Sequence, residues 1–396
     1  MGAVFLSPVY ILLNIYLALR ILRWFSALHM VFTSLWFIVP FSICYAMLAL
    51  TPLIAAFDRG RFKIWTKRTS NYWLGILMYL LIFLLLSDLG RIILRLFQKR
   101  SVTAPFGPFY DRIITGIALI ASAVLSLYGI RQASHIKKTQ YQVSVHKPCR
   151  IQTLKIALVA DLHLGYNVRL RHLQKIVNVI RDMDPDLIIY AGDIFDNEFD
   201  AVENPKKSAA ILGSLKSTYG SYACWGNHDI EEVILAGFTF PSGSSGVSSN
   251  PRMNDFLRKS HIRLLEDETV LVNGSFYVCG RLDASCKEKS GTMRLAPSEL
   301  ISGLDQSKPI FVIDHQPSQL IQLSEAGADL ILSGHTHDGQ IFPGNLTTRI
   351  GWMNSCGKLA LGNATSIVTS GAGIWGPAMR IGTSSEVVEI MVTFQS

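Results

Sequence analysis

The N-terminal third of the chain alternates between long uncharged apolar runs and short basic segments. No Asp, Glu, Lys or Arg occurs in residues 2–19, 24–57, 69–87 and 113–130. Since about 20 apolar residues let a helix cross a bilayer, the first, third and fourth runs each predict one span. The second run is too long for one straight span, and Pro40 predicts a kink or re-entrant turn within it. We expect four spans, with five as the alternative; a buried soluble bundle is disfavoured because no polar faces remain for water.

Beyond residue 150 the apolar runs become short and rich in β-branched residues, which is typical of buried strands. Apolar residues at helical spacing between the first two runs, from Leu170 to Ile180, predict a helix. Strands and helices that alternate in this way predict an α/β domain with a central sheet and helices outside. The predicted strands cover residues 154–160, 187–190, 221–225, 269–272, 276–279, 310–313 and 330–332.

A polar segment separates the two parts of the chain. It contains Pro148, which helps to punctuate it. We therefore predict a transmembrane region over residues 1–131, a linker over 132–150 and a second domain over 151–396, which is long enough for one α/β core. The serine- and glycine-rich residues 240–250 predict a surface loop, and a disordered insertion is favoured over a functional lid.

Charge is divided as unevenly as hydropathy. Residues 1–150 contain 17 Lys and Arg against 3 Asp and Glu, whereas the remainder contains 20 against 26. The basic residues flank the apolar runs, as at membrane borders, but four spans would place eight on one side and seven on the other. The side of the second domain and the organelle therefore stay open. The acidic second domain argues against nucleic-acid binding, which needs a concentrated basic patch. The cysteines of the chain form no CxxC pair.

Metal-ligating side chains follow the ends of five predicted strands. Ligands of α/β sheets collect at the carboxyl ends of the strands, and burying so many polar groups unpaired would cost roughly several kcal/mol each. Divalent cations would offset that cost, and mixed oxygen and nitrogen ligands suit Mn, Fe or Zn better than Ca or Mg. The motifs are DLH from Asp161, GDIFD from Gly192, GNHD from Gly226, DHQP from Asp314 and GHTHDGQ from Gly334.

This ordered set resembles the motifs of the calcineurin-like metallophosphoesterase superfamily, over about residues 151–396. The resemblance implies a β-sandwich flanked by helices, with a centre of two divalent metal ions between the sheets. Asp193 would bridge the two ions. The first ion would be held by Asp161, His163, Asp193 and His337. The second would be held by Asp193, Asn227, His315 and His335.

The resemblance also assigns catalytic roles and exposes one departure. His228 would meet the substrate and assist the leaving oxygen, and Asp196 would orient His228. Similar relatives often read GHTHGGQ where this chain carries Asp338, whose carboxylate would either support a metal-bound imidazole or point to solvent, the latter being favoured. In the later glycine-rich segment, Arg380 has two equal readings, a phosphate contact or a structural ion pair.

The function implied by the resemblance is a membrane-anchored, multi-pass phosphoester hydrolase. A metal-bridging hydroxide would attack a phosphomonoester or phosphodiester in line, with Mn, Zn or Fe as the expected metals and Mg as a further candidate. A lipid-linked phosphoester is one candidate substrate because it would share the bilayer; a soluble nucleotide or a phosphoprotein is another. The alternative functions are a catalytically silent scaffold that binds a partner protein and a transporter with a regulatory phosphoesterase domain. The sequence predicts no oligomeric state.

Overall fold

The computed structural model describes residues 2–58, 60, 62–97, 110–230, 234–235, 238–239, 250–285 and 294–395. Most of the predicted loop over residues 240–250 lies outside these described residues. The chain divides into two units. The first, the helical unit, comprises Met1–Arg131, Ile234–Phe240 and Gly376–Met379. The second, the α/β unit, comprises Gln132–Val233, Pro241–Trp375 and Arg380–Ser396.

The helical unit contains helices that are long and apolar enough to cross a membrane. Among its described residues three qualify singly, Pro8–Leu28, Lys63–Leu94 and Tyr110–Ala133, and a pair bent by 41° would make a fourth. A short hairpin also belongs to the unit, with strands β5 (Ile234–Leu235) and β6 (Phe238–Thr239). The helices are α1 (Gly2–Leu28), α2 (Leu35–Ala49), α3 (Thr51–Phe57), α4 (Lys63–Phe97) and α5 (Thr115–Ala133).

The long second apolar run breaks at a different proline from the expected one. Pro40 lies inside α2, and the bend falls between α2 and α3, where Pro52 occupies the first turn of α3. A proline in the first turn costs little because the amide hydrogen it lacks would have no helical partner there. The chain therefore bends at Leu50, before the proline that begins a new helix.

Charged side chains extend into helices whose predicted spans were nearly free of charge. The guanidinium of Arg20 in α1 lies 2.8 Å from the carboxylate of Asp88 in α4. The buried carboxylate of Asp111, just before α5, pairs with Arg20, Arg23 and Arg91. Charges at membrane depth are retained where they pair with one another. This network joins α1, α4 and the turn before α5, so no single apolar run of the sequence could reveal it.

The α/β unit is built on two six-stranded sheets. The first sheet has the order β1-β14-β2-β3-β4-β7 and the second has the order β12-β13-β11-β10-β9-β8. The strands of the first are β1 (Ile136–Val145), β2 (Thr153–Val159), β3 (Leu187–Ala191), β4 (Ser221–Cys224), β7 (Arg263–Leu264) and β14 (Ser385–Phe394). The strands of the second are β8 (Glu268–Val272), β9 (Phe276–Gly280), β10 (Ile310–Ile313), β11 (Leu330–Ser333), β12 (Gly357–Leu361) and β13 (Ala364–Val368).

Apolar layers hold the two sheets face to face and cover their outer faces with helices. Leu158 and Val388 of the first sheet share one buried core with Phe311 and Leu332 of the second, as in sandwiches whose inner faces interdigitate. Three helices pack on the first sheet and two on the second. The expected fold, an α/β sandwich flanked by helices, is confirmed. These helices are α6 (Leu170–Met183), α7 (Pro205–Gly213), α8 (Pro251–Lys259), α9 (Pro297–Ile301) and α10 (Leu320–Glu325), and α11 (Gly344–Gly351) follows the last motif.

The segment expected to be a linker instead contains a strand. β1 pairs in parallel with β14 along its whole length, from Ile136 opposite Ser385 to Val145 opposite Phe394. Its pattern is mostly polar because β1 is an edge strand; Val143 and Val145 lie in the shared core and Tyr141 packs against it. As a result, α5 and the first strand of the α/β unit are separated by just Ser134 and His135.

Parallel pairing brings the motifs to one edge of the sandwich. β2, β3 and β4 are parallel neighbours in the first sheet, and β9, β10 and β11 are parallel neighbours in the second. Each of the five motifs follows the carboxyl end of one of these strands, where the sequence predicts it. The sheets therefore deliver the polar side chains to a common place.

Candidate metal centre

Two groups of metal-ligating side chains form at the ends of these strands. The ligand atoms within each group lie within 4.8 Å of one another. One group consists of Asp161, His163 and His337, and the other of Asp193, His315 and His335. A third overlapping group joins His163 to Asp196 and His228. The sequence-predicted ligands are thus assembled in space, although the chain separates the first from the last by well over a hundred residues.

The first group is fully enclosed. Nε2 of His163 lies 3.0 Å from Nε2 of His337, which in turn lies 3.7 Å from the carboxylate of Asp161. Asp161 and His163 have no exposed surface and His337 is buried. Two imidazole nitrogens that face each other need either a shared proton or a cation between them. With a carboxylate beside them, this donor set fits a divalent transition metal.

The second group includes a neutral amide. Nε2 of His315 lies 3.1 Å from Oδ1 of Asn227 and 3.2 Å from the carboxylate of Asp193. Nδ1 of His335 lies 2.8 Å from the same amide oxygen. The other ring nitrogen of His315 lies 2.8 Å from the carbonyl of Ala191, a contact that fixes the tautomer and leaves Nε2 as the ligand atom. The position predicted for Asn227 thus agrees with a second set of metal ligands.

Asp193 lies where the two groups meet. Its Oδ1 accepts the backbone N–H of His228 at 2.7 Å. Its Oδ2 faces both groups, 3.7 Å from Nε2 of His163 and 3.2 Å from Nε2 of His315. Asp193 thus has one oxygen held by the backbone and the other within reach of an imidazole of each ligand group.

Electrostatics at Asp193 favour positive charge beside it. Burial raises the pKa of Asp193, but the charge and hydrogen bond of His315, together with the charges of His228 and His163, outweigh burial and hold that pKa well below its usual range. Burial lowers the pKa of His315, yet the Asp193 carboxylate raises it to well above the usual value. Burial and the neighbouring charge of His315 lower the pKa of His335 to about 3. His335 is therefore a neutral imidazole with a lone pair to offer.

Five of the ligand residues have a left-handed backbone, which is rare outside glycine. The φ angles are 54° at Asp161, 45° at His163, 51° at Asp193, 73° at His335 and 50° at His337. Such conformations cost about 1–3 kcal/mol each and persist mostly at functional sites, where the surroundings enforce them. In the first and last motifs the strained residues are two positions apart, and all of them belong to the ligand groups.

Two glycines make room for this packing. A Cβ on Gly226 would clash with Oδ1 of Asp193. A Cβ on Gly371, whose φ is +83°, would lie 2.8 Å from the carboxylate of Asp161. Any side chain at either position would displace a candidate ligand. Gly371 belongs to a loop whose backbone supports the first motif, since the N–H of Gly373 donates to the carbonyl of Asp161 at 2.8 Å.

His228 has a different polar partner from the expected one. Its Nδ1 contacts Oδ1 of Asn197, and the amide nitrogen of Asn197 donates to the carbonyl of Ile230 at 2.9 Å. That second bond fixes Oδ1 as the atom that faces the imidazole. Asp196, expected in this place, lies with its carboxylate 3.7 Å from Nδ1 of His163. The reason is local: adjacent side chains leave a turn in different directions, and Asn197 has a left-handed φ of 58°.

Arg380 is occupied by the protein itself. Its guanidinium is fully buried and donates to the carbonyls of Ser370, Gly371 and Gly373 at 2.7, 3.2 and 2.9 Å. It also donates to the carbonyl of His337 at 3.3 Å. Burial lowers its pKa to about 10. Of the two interpretations of Arg380, the structural one therefore fits, with backbone carbonyls in place of an ion pair. Asp338, the departure from the family motif, is half-buried.

Sequence reasoning left other supporting residues without a role. Asp229, the last residue of GNHD, accepts the backbone N–H groups of Phe195 and Gly226, both at 2.8 Å, and so ties two motif loops together. Asp314, next to His315, pairs with the buried Arg281 at 2.8 Å and with Arg294. In the sequence, the only sign of a role for Asp229 and Asp314 is their position within the motifs.

Comparisons with known proteins agree with this geometry. A family model described as calcineurin-like phosphoesterase matches residues 154–339. A Danio rerio protein named transmembrane protein with metallophosphoesterase domain is 30% identical over 343 residues, 83% of this chain and 74% of that protein. An uncharacterized metallophosphoesterase of Campylobacter jejuni is 29% identical over 81% of each chain. A UDP-2,3-diacylglucosamine pyrophosphatase of Chlamydia trachomatis is 23% identical over 49% of this chain and 67% of that protein.

The motif-based recognition is confirmed at the level of the family, and with it a metal-dependent hydrolase that acts on phosphoester bonds. Two of these relatives match more than four fifths of the chain, and the name of one of them includes both a transmembrane protein and this domain. The chain belongs to the calcineurin-like metallophosphoesterase family.

Proposed function

We propose that this protein is a membrane-anchored phosphoester hydrolase that binds two divalent cations at the sandwich edge. The observation that carries the proposal is the placement of Asp193, whose Oδ2 faces an imidazole of each ligand group. One cation would be held by Asp161, His163, Asp193 and His337. The other would be held by Asp193, Asn227, His315 and His335.

The bound cations would supply Lewis acidity toward the phosphoryl oxygens and activation of a water for in-line attack. The protein's own groups do the rest. Asn227 contributes a neutral oxygen, which limits the negative charge that an incoming phosphoester meets. The mixed nitrogen and oxygen donors favour Mn, Zn or Fe, with Mg as a further candidate.

His228 is the proposed proton donor to the leaving oxygen. Its ring centroid lies 5.0 Å from that of His163, at the border of the first ligand group. Because Nδ1 contacts Asn197, Nε2 is the nitrogen directed away from that support. A positioned imidazole of this kind contributes about 10²–10⁴-fold in rate. Asn197 takes over the orienting role that the motif pattern gave to Asp196.

A lipid-linked phosphoester is the proposed substrate class. The chain has three helices, or four with the bent pair, that could cross a membrane among its described residues, and we propose that it is a multi-pass membrane protein. One relative is named for a diacylated sugar diphosphate, which supports the same class. An assay has to determine whether the protein prefers phosphomonoesters or phosphodiesters.

The test is hydrolysis by the full chain in detergent micelles. An aryl phosphomonoester and an aryl phosphodiester are offered with Mn, Zn, Mg or a chelator, and His228→Ala serves as the matched variant. We expect metal-dependent turnover that the variant loses while it keeps its metals. A wild-type chain that binds two metals and cleaves neither ester, in micelles or in vesicles, would instead indicate a silent scaffold.

A further inference from the structure

Exposed apolar side chains of the α/β unit are concentrated in one place. Among the described residues of this unit, four of six large exposed apolar side chains lie between residues 342 and 353. Isolated surface apolar residues are normal, whereas a cluster marks an interaction surface. The six are Leu271, Ile321, Phe342, Leu346, Ile350 and Met353.

The four clustered residues lie on α11 and just beyond its two ends. Leu346 and Ile350 are four positions apart within α11 and therefore share one side of that helix, and Phe342 and Met353 flank it. Ile350 is 87% exposed, Met353 58%, Leu346 49% and Phe342 47%. A helix on a water-facing surface normally exposes its polar side chains and buries its aliphatic ones. This helix does the reverse: it buries Asn345 and exposes Leu346 and Ile350. We refer to these four residues as the α11 face.

The α11 face adjoins the candidate metal centre. α11 begins seven residues after His337 and ends immediately before Trp352. The Trp352 ring packs edge-on against the ring of His335, with centroids 5.2 Å apart. His335 belongs to the second ligand group. A molecule that docks on the α11 face would therefore have its polar end beside the metals.

A lipid bilayer suits this face better than water does. The first strand of the α/β unit begins at Ile136, and just two residues separate it from the end of α5 at Ala133. An extended segment of that length spans at most about 10 Å, so this strand starts close to the end of a helix that could cross a membrane. Residues 342–353 contain no acidic side chain, and the exposed Arg349 is the single charged residue among them. Apolar side chains beside one cation match an acyl layer under anionic headgroups.

We propose that the α11 face inserts into the acyl layer of the membrane that holds the helical unit, so that the metal centre acts on phosphoesters of lipids in that surface. The substrate part of this inference rests on the proposed function. The contact with the membrane does not, and it is tested separately.

The contact is tested with a spin label on the full chain in vesicles of phosphatidylcholine and phosphatidylglycerol. The label is placed through Ile350→Cys, with Leu271→Cys and Ile321→Cys as matched exposed apolar positions away from α11. The five described cysteines are unpaired, so the labelled unsubstituted chain supplies the background. We expect the label at position 350 to collide with oxygen more than with a water-soluble nickel chelate, and the two controls to show the reverse.

Two results would overturn the membrane contact. If the label at position 350 is as open to nickel as the controls, the α11 face lies in water. If it is shielded from both reagents, a protein surface covers it, whether a second copy or another partner.

The substrate class is tested in the same vesicles with phosphatidic acid and phosphatidylglycerol as probes. Ile350→Asp should lower the ratio of lipid hydrolysis to aryl ester hydrolysis by about tenfold, and Ile321→Asp should leave it unchanged. An equal loss in both variants, or aryl ester turnover without lipid turnover, would refute lipid recognition by this face. Absence of any turnover would refute the proposed hydrolase, while the label measurement would still decide the contact.

Discussion

The two ligand groups that meet at Asp193 differ in their surroundings. Asp161, His163 and His337 are all buried, whereas Asn227 and His335 of the second group are only partly buried. The first group is held by backbone on several sides and the second borders an open surface. The difference teaches that solvent reaches side chains of the second group more readily than those of the first.

Each group has its own buried arginine. Arg380 holds the carbonyl of His337 together with the glycine loop that supports Asp161. Arg281 pairs with Asp314, the neighbour of His315 in the second group. Supports of this kind typically tune metal affinity by about 10–100-fold. The two arginines therefore offer a way to weaken one group without touching the other.

The largest expected effect comes from the residue that the two groups share. Asp193→Asn keeps the shape of the side chain but removes the charge between His163 and His315. We expect both metals to be lost and turnover to fall by at least about a thousandfold. Metal analysis of the purified variant, together with its aryl ester kinetics, checks this. A variant that keeps one tightly bound metal would show that the groups are independent rather than bridged.

Removal of His228 should separate chemistry from metal binding. His228→Ala leaves every proposed ligand in place, so both metals should stay bound. Turnover should fall by about 10²–10⁴-fold, the usual contribution of a positioned acid. The effect should be larger for an ester whose leaving oxygen is strongly basic than for an aryl ester. If the variant loses metal as readily as Asp193→Asn does, His228 belongs to a ligand group instead.

Much of this centre could be predicted from the sequence because its information is local. Each of these apolar runs ends in a motif, and parallel pairing of β2, β3 and β4 and of β10 with β11 gathers the motif ends within each sheet. Strand ends and ligand identities are properties of short segments. The assembled groups therefore match the positions that the motifs indicate.

Other features depended on partners that are distant in sequence. β1 looks like a linker because its edge position lets polar residues face water, and its pairing with β14 joins opposite ends of the domain. Arg380 satisfies backbone carbonyls, which leave no mark on the side-chain pattern. Asn197 and Asp196 are adjacent, so only the turn geometry decides which one reaches His228.

Substitution of the two buried arginines should split the pair of metals. Arg380→Met should lower the affinity for the metal of the first group by about 10–100-fold. Arg281→Met should lower the affinity for the metal of the second group by a similar factor. Isothermal titration of the full chain with Mn or Zn resolves the two affinities. Lysine at either position should recover part of the loss, because it restores a cation without the planar set of donors.

A cycle of double variants assigns each arginine to its group. In a chain that already carries His337→Ala, Arg380→Met should cause little further loss of metal affinity. His335→Ala combined with Arg380→Met should lose both metals. Arg281→Met should cause little further loss of metal affinity in a chain with His335→Ala, and should lose both metals when combined with His337→Ala. Additive losses in every combination would mean that the arginines support the fold as a whole, and not one metal each.

The smallest expected effect concerns the support of His228, and it distinguishes Asn197 from Asp196. Asn197→Ala removes the oxygen that contacts Nδ1 of His228, a loss worth about tenfold in rate for one buried hydrogen bond. We expect kcat to fall with little change in KM or metal content. Asp196→Asn should instead act through His163, whose Nδ1 lies 3.7 Å from that carboxylate, and should weaken the metal of the buried group. If Asp196→Asn reproduces the kcat loss of His228→Ala and Asn197→Ala does not, then Asp196 orients the catalytic imidazole. In that case Asp196 does not support His163, and the buried first group lacks the carboxylate support that distinguishes it from the partly exposed second group.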